Sequence, residues 1–142
     1  MVKITTQSAA ETHALAYDFA AGLRGGDVVA LEGQLGSGKT TFAAGLAKGL
    51  RLKSKIKSPT FVLTHPHPIP KTKRTFYHFD LYRLRSPQDL ADLGFSEILK
   101  SRDHITVIEW PAVAKKFLPP QTIYIRFHHV KSHPNHRTVI FT

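Results

Sequence analysis

Gly33-Gln34-Leu35-Gly36-Ser37-Gly38-Lys39-Thr40 stands between an apolar run, Val28-Val29-Ala30-Leu31, and a segment in which Phe42, Leu46 and Leu50 recur at helical spacing. The octapeptide matches G-x-x-x-x-G-K-[ST] in full, in the strand–loop–helix setting that the motif requires. Gly33, Gly36 and Gly38 permit positive φ and let the backbone approach phosphate oxygens without a Cβ in the way. Backbone N–H groups from Leu35 to Thr41 are expected to form a nest for a β-phosphate, and the helix starting near Lys39 adds the positive end of its dipole. Lys39 is then the point charge for the β- and γ-phosphates, and the Thr40 hydroxyl is the expected Mg²⁺ ligand. The stretch therefore predicts a P-loop that holds Mg²⁺–ATP.

Outward from the loop, Ser8-Ala9-Ala10-Glu11 has capping-box spacing, and Leu15, Phe19 and Leu23 continue a helix from about Ser8 to Leu23. Gly25-Gly26 ends that helix, and the helix after the loop stops near Gly49. Lys53 to Lys73 reads mostly as loop around a short Thr60–Thr64 strand, because four prolines interrupt it. Thr75 to Tyr82 reads as a strand; Ser86-Pro87 starts a helix that breaks at Gly94 and resumes over Phe95–Leu99. His104 to Trp110 reads as a strand and Pro111 to Phe117 as a short helical turn. Thr122–Val130 and His136–Thr142 form a predicted hairpin around Ser132-His133-Pro134-Asn135. This order predicts one P-loop NTPase-like α/β domain over residues 1–142: a mostly parallel sheet flanked by helices, with antiparallel strands from the C-terminal hairpin.

The chain of 142 residues has no cysteine, which excludes disulfides and thiolate metal sites. No apolar run approaches the ~18 residues of a membrane span, and Met1-Val2-Lys3-Ile4-Thr5 lacks a signal-peptide core, so a cytoplasmic protein with no membrane contact is expected. Net charge is +10, and between Glu32 and Asp80 there are nine basic residues and no acidic one. A stretch of that kind attracts phosphate-rich or acidic partners, and the reading places it beside the phosphate site. His65, His67, His128 and His129 read as surface imidazoles.

A P-loop also needs a carboxylate at a strand end for the metal and its waters. Ile105-Thr106-Val107-Ile108-Glu109 and Phe76-Tyr77-His78-Phe79-Asp80 both offer one, and parallel strands deliver both to the P-loop edge. Alternation assigns about half of Phe76, Tyr77, Phe79 and Tyr82 to the core, against stacking on RNA bases. Arg83 suits either an arginine finger or a partner for a carboxylate such as Asp80.

The ordered set Leu31…Gly33-x-Leu35-Gly36-x-Gly38-Lys39-Thr40-Thr41-Phe42, Ser58-Pro59-Thr60-Phe61, His78-Phe79-Asp80-Leu81-Tyr82-Arg83-Leu84 and Ile108-Glu109-Trp110-Pro111 resembles the TsaE family from about Glu11 to Arg137. The resemblance implies an ATPase required for threonylcarbamoyladenosine in tRNA, an auxiliary subunit that does not itself transfer the group but works with transferase subunits. It implies that Gly36, Ser37, Gly38, Lys39, Thr40 and Thr41 hold the phosphates, and that Thr40 with Glu109 ligates Mg²⁺. Asp80 falls in a switch-like strand end used for hydrolysis, with Lys39 as its catalytic cation; Ser58-Pro59-Thr60 fills the other switch-like segment. Trp110 is expected beside the nucleotide, Thr12 near the base, and Arg137 in the place of a late family arginine. Gln34 departs from an acidic residue usual in the family, and His65–Arg74 follows no family pattern. tRNA is a further expected partner, through the basic face. The alternatives are a small-molecule kinase, with Lys48–Lys57 as a short lid, and a nucleic-acid-binding module with a vestigial site. The intact Gly38-Lys39-Thr40 opposes the last, and the lack of N-K-x-D opposes a GTPase.

Overall fold

Strand β1 (Val2–Thr6), helix α1 (Ala9–Ala20), β2 (Val28–Gly33) and α2 (Lys39–Gly49) come first in the computed structural model, which describes residues 1–53 and 64–142. They are followed by β3 (Thr64–Pro68), β4 (Thr75–Asp80), α3 (Pro87–Ala91), α4 (Phe95–Lys100), β5 (His104–Glu109), a 3₁₀ helix (Pro111–Phe117), β6 (Ile123–Val130) and β7 (His133–Phe141). One seven-stranded sheet has the order β1-β7-β6-β2-β5-β4-β3. Its centre, β6-β2-β5-β4, is parallel; β7 and β1 on one side and β3 on the other are antiparallel. The sheet is thus the expected mixed α/β one, with antiparallel strands at both edges rather than one.

Each helix start has a local cause. The Ser8 Oγ accepts from the Glu11 N–H at 3.1 Å, while Glu11 Oε2 accepts from the Gln7 N–H at 2.7 Å, so the reciprocal capping bond reaches one residue further back than the simple box. Ser86 caps α3 with Pro87 in its first turn, and Gly94, in the left-handed region at φ 70°, separates α3 from α4 as expected.

Two apolar clusters cover the sheet. Ala16, Ala20, Phe42, Ala43 and Leu46 from α1 and α2 pack with Val29, Leu31 and Phe127, while Leu90, Phe95 and Leu99 pack with Phe79 and Ile108 on the other side. Helices α1 and α2 approach through Gly45, where an added Cβ would lie 2.7 Å from the Ala16 Cβ, and Gly49, where it would lie 2.7 Å from that of Ala20. Phe76 and Phe79 are fully buried, whereas Tyr82 is 56% exposed, so the aromatic run divides between core and surface.

Three readings need correction. β1 lies where the sequence suggested no element. β3 occupies the proline-rich stretch read as loop; the expected Thr60–Thr64 strand falls outside the described residues except for Thr64. Pro66 and Pro68 sit at alternate positions of an edge strand, the one place where missing N–H groups cost no ladder bonds. β7 begins at His133 instead of His136, after a register shift at His129/Val130. Among the described residues, no helix is long and apolar enough to cross a membrane.

Candidate functional site

Parallel packing sets the site. β2 ends at Gly33, and the register pairs Leu31 with Glu109 and Asp80 with Glu109, so the P-loop and both carboxylates stand at one edge of the sheet. The loop then turns on glycines: Gly36 has φ 75° and Gly38, the N-cap of α2, has φ 106°, backbone that L side chains rarely adopt. Within the loop the Ser37 N–H donates to the Gln34 carbonyl at 3.1 Å, so this one amide of the predicted nest is spent on the turn.

The Lys39 side chain runs back under the loop. Nζ donates to the carbonyls of Gly33 at 2.6 Å and Gln34 at 2.8 Å, lies 3.4 Å from Ser37 Oγ, and sits 4.1 Å from the centroid of the Trp110 ring. Burial lowers its pKa, and the negative charges of Glu109 and Asp80 oppose that shift. Glu109 is also buried. Its Oε1 accepts from the Thr40 hydroxyl at 2.8 Å and its Oε2 from His78 Nε2 at 2.6 Å, while His78 Nδ1 is buried with no hydrogen-bond partner among the described residues. Asp80 Oδ1 accepts the Tyr82 N–H at 3.1 Å, which turns its carboxylate at the strand end.

Lys39, Thr40, Asp80, Glu109 and Trp110 border a cavity of about 450 Å³, in the range of small-molecule sites. Of the residues singled out from the sequence, Thr12, Gly36, Gly38, Lys39, Thr40 and Thr41 line it, together with Asp80, Glu109, Trp110 and Arg137. Ser37 is the exception: it is fully buried beneath the loop. Ser58-Pro59-Thr60 lies outside the described residues. The Thr12 hydroxyl is engaged by Thr6 at 2.7 Å and by the Ser8 carbonyl at 3.3 Å, so its methyl is the group left to face Gly38. Arg137 ties the β6–β7 hairpin to the P-loop by donating to the carbonyls of Pro134, His136 and Gly36. Trp110 has φ 58°, a conformation that is strained for a bulky residue, and it turns the chain off β5 beside Tyr82, ring centroids 4.9 Å apart.

Sequence reasoning gave no role to His78 and did not find Asn135, which also lines the cavity; Tyr82 and Arg83 line it as well. The H-F-D-L-Y-R-L run was a signal for three of these, but only the strand register shows which neighbours they meet. Lys39 apart, the described part of the basic stretch lies away from the phosphate site, and Lys55 and Lys57 fall outside the described residues. Lys48, Arg51 and Lys53 lie at the far end of α2 and Lys71, Lys73 and Arg74 in the β3–β4 turn, all at the opposite edge of the sheet; among the described members only Lys39 is at the cavity. The described part of the supposed kinase lid, Lys48 to Lys53, is therefore remote from the loop.

The model of the family described as Threonylcarbamoyl adenosine biosynthesis protein TsaE matches residues 6–139, almost the whole chain. The chain belongs to the TsaE family. It is 38% identical over 122 residues to the tRNA threonylcarbamoyladenosine biosynthesis protein TsaE of Rickettsia prowazekii (strain Madrid E), covering 85% of this chain and 82% of that protein. It is 41% identical over 103 residues to the TsaE protein of Treponema pallidum (strain Nichols), covering 72% and 73%. The crystal structure of Bacillus subtilis YdiB superposes with a TM-score of 0.75 at 30% identity, over 99% of this chain and 83% of that one. As a TsaE member the chain falls in a family of tRNA threonylcarbamoyladenosine biosynthesis.

Proposed function

We propose that the chain binds Mg²⁺–ATP in this cavity and hydrolyses it as an auxiliary subunit of the machinery that makes threonylcarbamoyladenosine in tRNA, acting with the transferase subunits in the cytoplasm. The observation that carries the reading is the convergence of a buried Lys39 ammonium and the Thr40–Glu109–His78 chain on one P-loop cavity. A buried cation beside glycine-rich backbone suits a polyanion, and a hydroxyl next to a carboxylate suits a hard divalent ion that keeps most of its ligands as water and phosphate.

Gly36 and Gly38 to Thr41 supply backbone amides and the α2 dipole for the phosphates, the Ser37 amide being engaged by Gln34; Thr40 and Glu109 would hold the metal. Magnesium bound there screens phosphate charge. Lys39 balances the negative charge that grows on the phosphate oxygens, and Asp80 orients a water and accepts its proton. Trp110, Thr12 and Arg137 form the walls that fix the rest of the nucleotide. Tyr82 and Asp80 share a backbone turn, so a partner pressing on exposed Tyr82 would move the Asp80 carboxylate, a route by which transferase subunits could set turnover. The test is reconstitution with transferase subunits recovered by pull-down, reading ATP hydrolysis and the modified nucleoside by mass spectrometry. Modification should need this chain and be lost with Lys39→Ala. Full modification with that variant would refute the proposal.

A further inference from the structure

We propose that the sheet edge opposite the cavity is an RNA-binding surface, and that its ligand is the tRNA on which the family's biosynthesis is carried out. The inference takes only the identity of the RNA from the family; it stands apart from the ATP reading.

The parallel strands bring the N-terminal ends of β2, β5 and β4 to this edge, and the segments that feed them are knitted together there. The Gly26 N–H donates to the His104 carbonyl at 2.7 Å, and the Thr75 N–H to that of Asp103 at 2.9 Å. A Cβ at Gly25 would overlap the Arg102 carbonyl and lie 3.0 Å from Arg74 Nε, so three loops touch at one point. Helix α2 starts at the P-loop, runs back alongside α1 and ends at this edge too.

The four segments carry Arg24 after α1, and Lys48, Arg51 and Lys53 at the end of α2. The β3–β4 turn adds Lys71, Lys73 and Arg74, and the link into β5 adds Lys100 and Arg102. All nine are exposed, and only Asp27 and Asp103 oppose them, an excess of seven out of the chain's +10. Among the described residues none of the nine forms an ion pair. Their field, offset only in part by Asp27 and Asp103, adds up along the edge.

One feature favours RNA over an acidic protein. Protein interfaces form around an apolar or aromatic centre, yet among the described residues none of the exposed large apolar side chains, Met1, Val2, Tyr17, Leu35, Tyr82 and Leu93, belongs to these segments. Four of the nine are arginines, whose planar guanidinium groups pair bidentately with phosphate as they do with carboxylate, so they suit RNA without by themselves excluding an acidic protein. An edge of nine cations and two carboxylates suits a regularly spaced phosphate backbone, with affinity from counterion release.

The test is fluorescence anisotropy of a labelled, unmodified tRNA transcript from low to moderate salt. Probes are wild type, Lys73→Gln/Arg74→Gln/Arg102→Gln, and a second triple, Arg51→Gln/Lys53→Gln/Lys71→Gln, which keeps the test alive if the first does not fold. Each folded triple should bind at least about tenfold more weakly, with a log–log salt slope shallower by about two, since each lost phosphate contact removes roughly 0.7–0.9. ATP affinity should be unchanged in both, and Lys39→Ala should bind tRNA like wild type, so failure of the ATP reading would not be mistaken for failure here. Undiminished tRNA binding by a folded triple, or polyglutamate binding as tightly as tRNA with the same triple dependence, would overturn the proposal.

Discussion

At the scale of single residues the site is a relay from helix to strand to strand: Thr40 on α2, Glu109 at the end of β5, His78 inside β4. Glu109 uses one oxygen toward Thr40 and the other toward His78, so His78 decides which way the free lone pairs point. Glu109→Ala is expected to weaken Mg²⁺-dependent nucleotide binding, whereas Asp80→Ala should spare binding and lower turnover; Mg²⁺ titration beside steady-state ATPase separates them. His78→Leu, an apolar side chain of similar bulk without the ring nitrogens, should raise the half-saturating Mg²⁺ about tenfold, the scale on which partners that orient a ligand act. Binding measured in EDTA should stay near wild type in that variant, and an unaltered Mg²⁺ curve would make His78 a core residue only. Lys39, Thr40 and Glu109 were legible because a motif and a strand end announce them. His78 was not. A histidine two places before a strand-end acid looks like core alternation until the β4–β5 register brings it to Glu109.

Among the elements, the P-loop and the α1–α2 contact use glycine for different reasons. At Gly38 a Cβ would meet only ordinary contacts, Thr12 Cγ2 at 3.6 Å, but φ is 106°. Gly38→Ala should therefore cost about 1–2 kcal/mol through the backbone and also weaken ATP binding, because the cap amides shift. At Gly45 the obstacle is steric, with Ala16 Cβ at 2.7 Å. Gly45→Ala should destabilise by about 1–3 kcal/mol while ATP affinity holds, which chemical denaturation and nucleotide titration would distinguish. The central strands and helices were readable because apolar runs, caps and prolines act within a few residues. β1 and β3 were not, since Val2–Thr6 and Thr64–Pro68 are strands only by virtue of β7 and β4 beside them, a non-local cause.

For the whole molecule the separation of charge is the main structural result. One sheet edge gathers the P-loop, Glu109 and Asp80; the other gathers most of the net positive charge, which linear sequence had seemed to put beside the phosphates. Composition reports how much charge there is, and parallel topology decides where it goes. The central claim concerns the first edge, and Lys39 tests it cleanly. Removing Lys39 frees the Gly33 and Gln34 carbonyls of their Nζ bonds, so the melting temperature should fall by several degrees, about 1–2 kcal/mol, while the fold survives. The direct measurement is calorimetric titration of ATP into wild type and Lys39→Ala, each with Mg²⁺ and with EDTA. One saturable site in wild type, weakened by EDTA and at least about 100-fold weaker in the folded variant, is the predicted result. Equal ATP affinity in the two proteins would contradict the account.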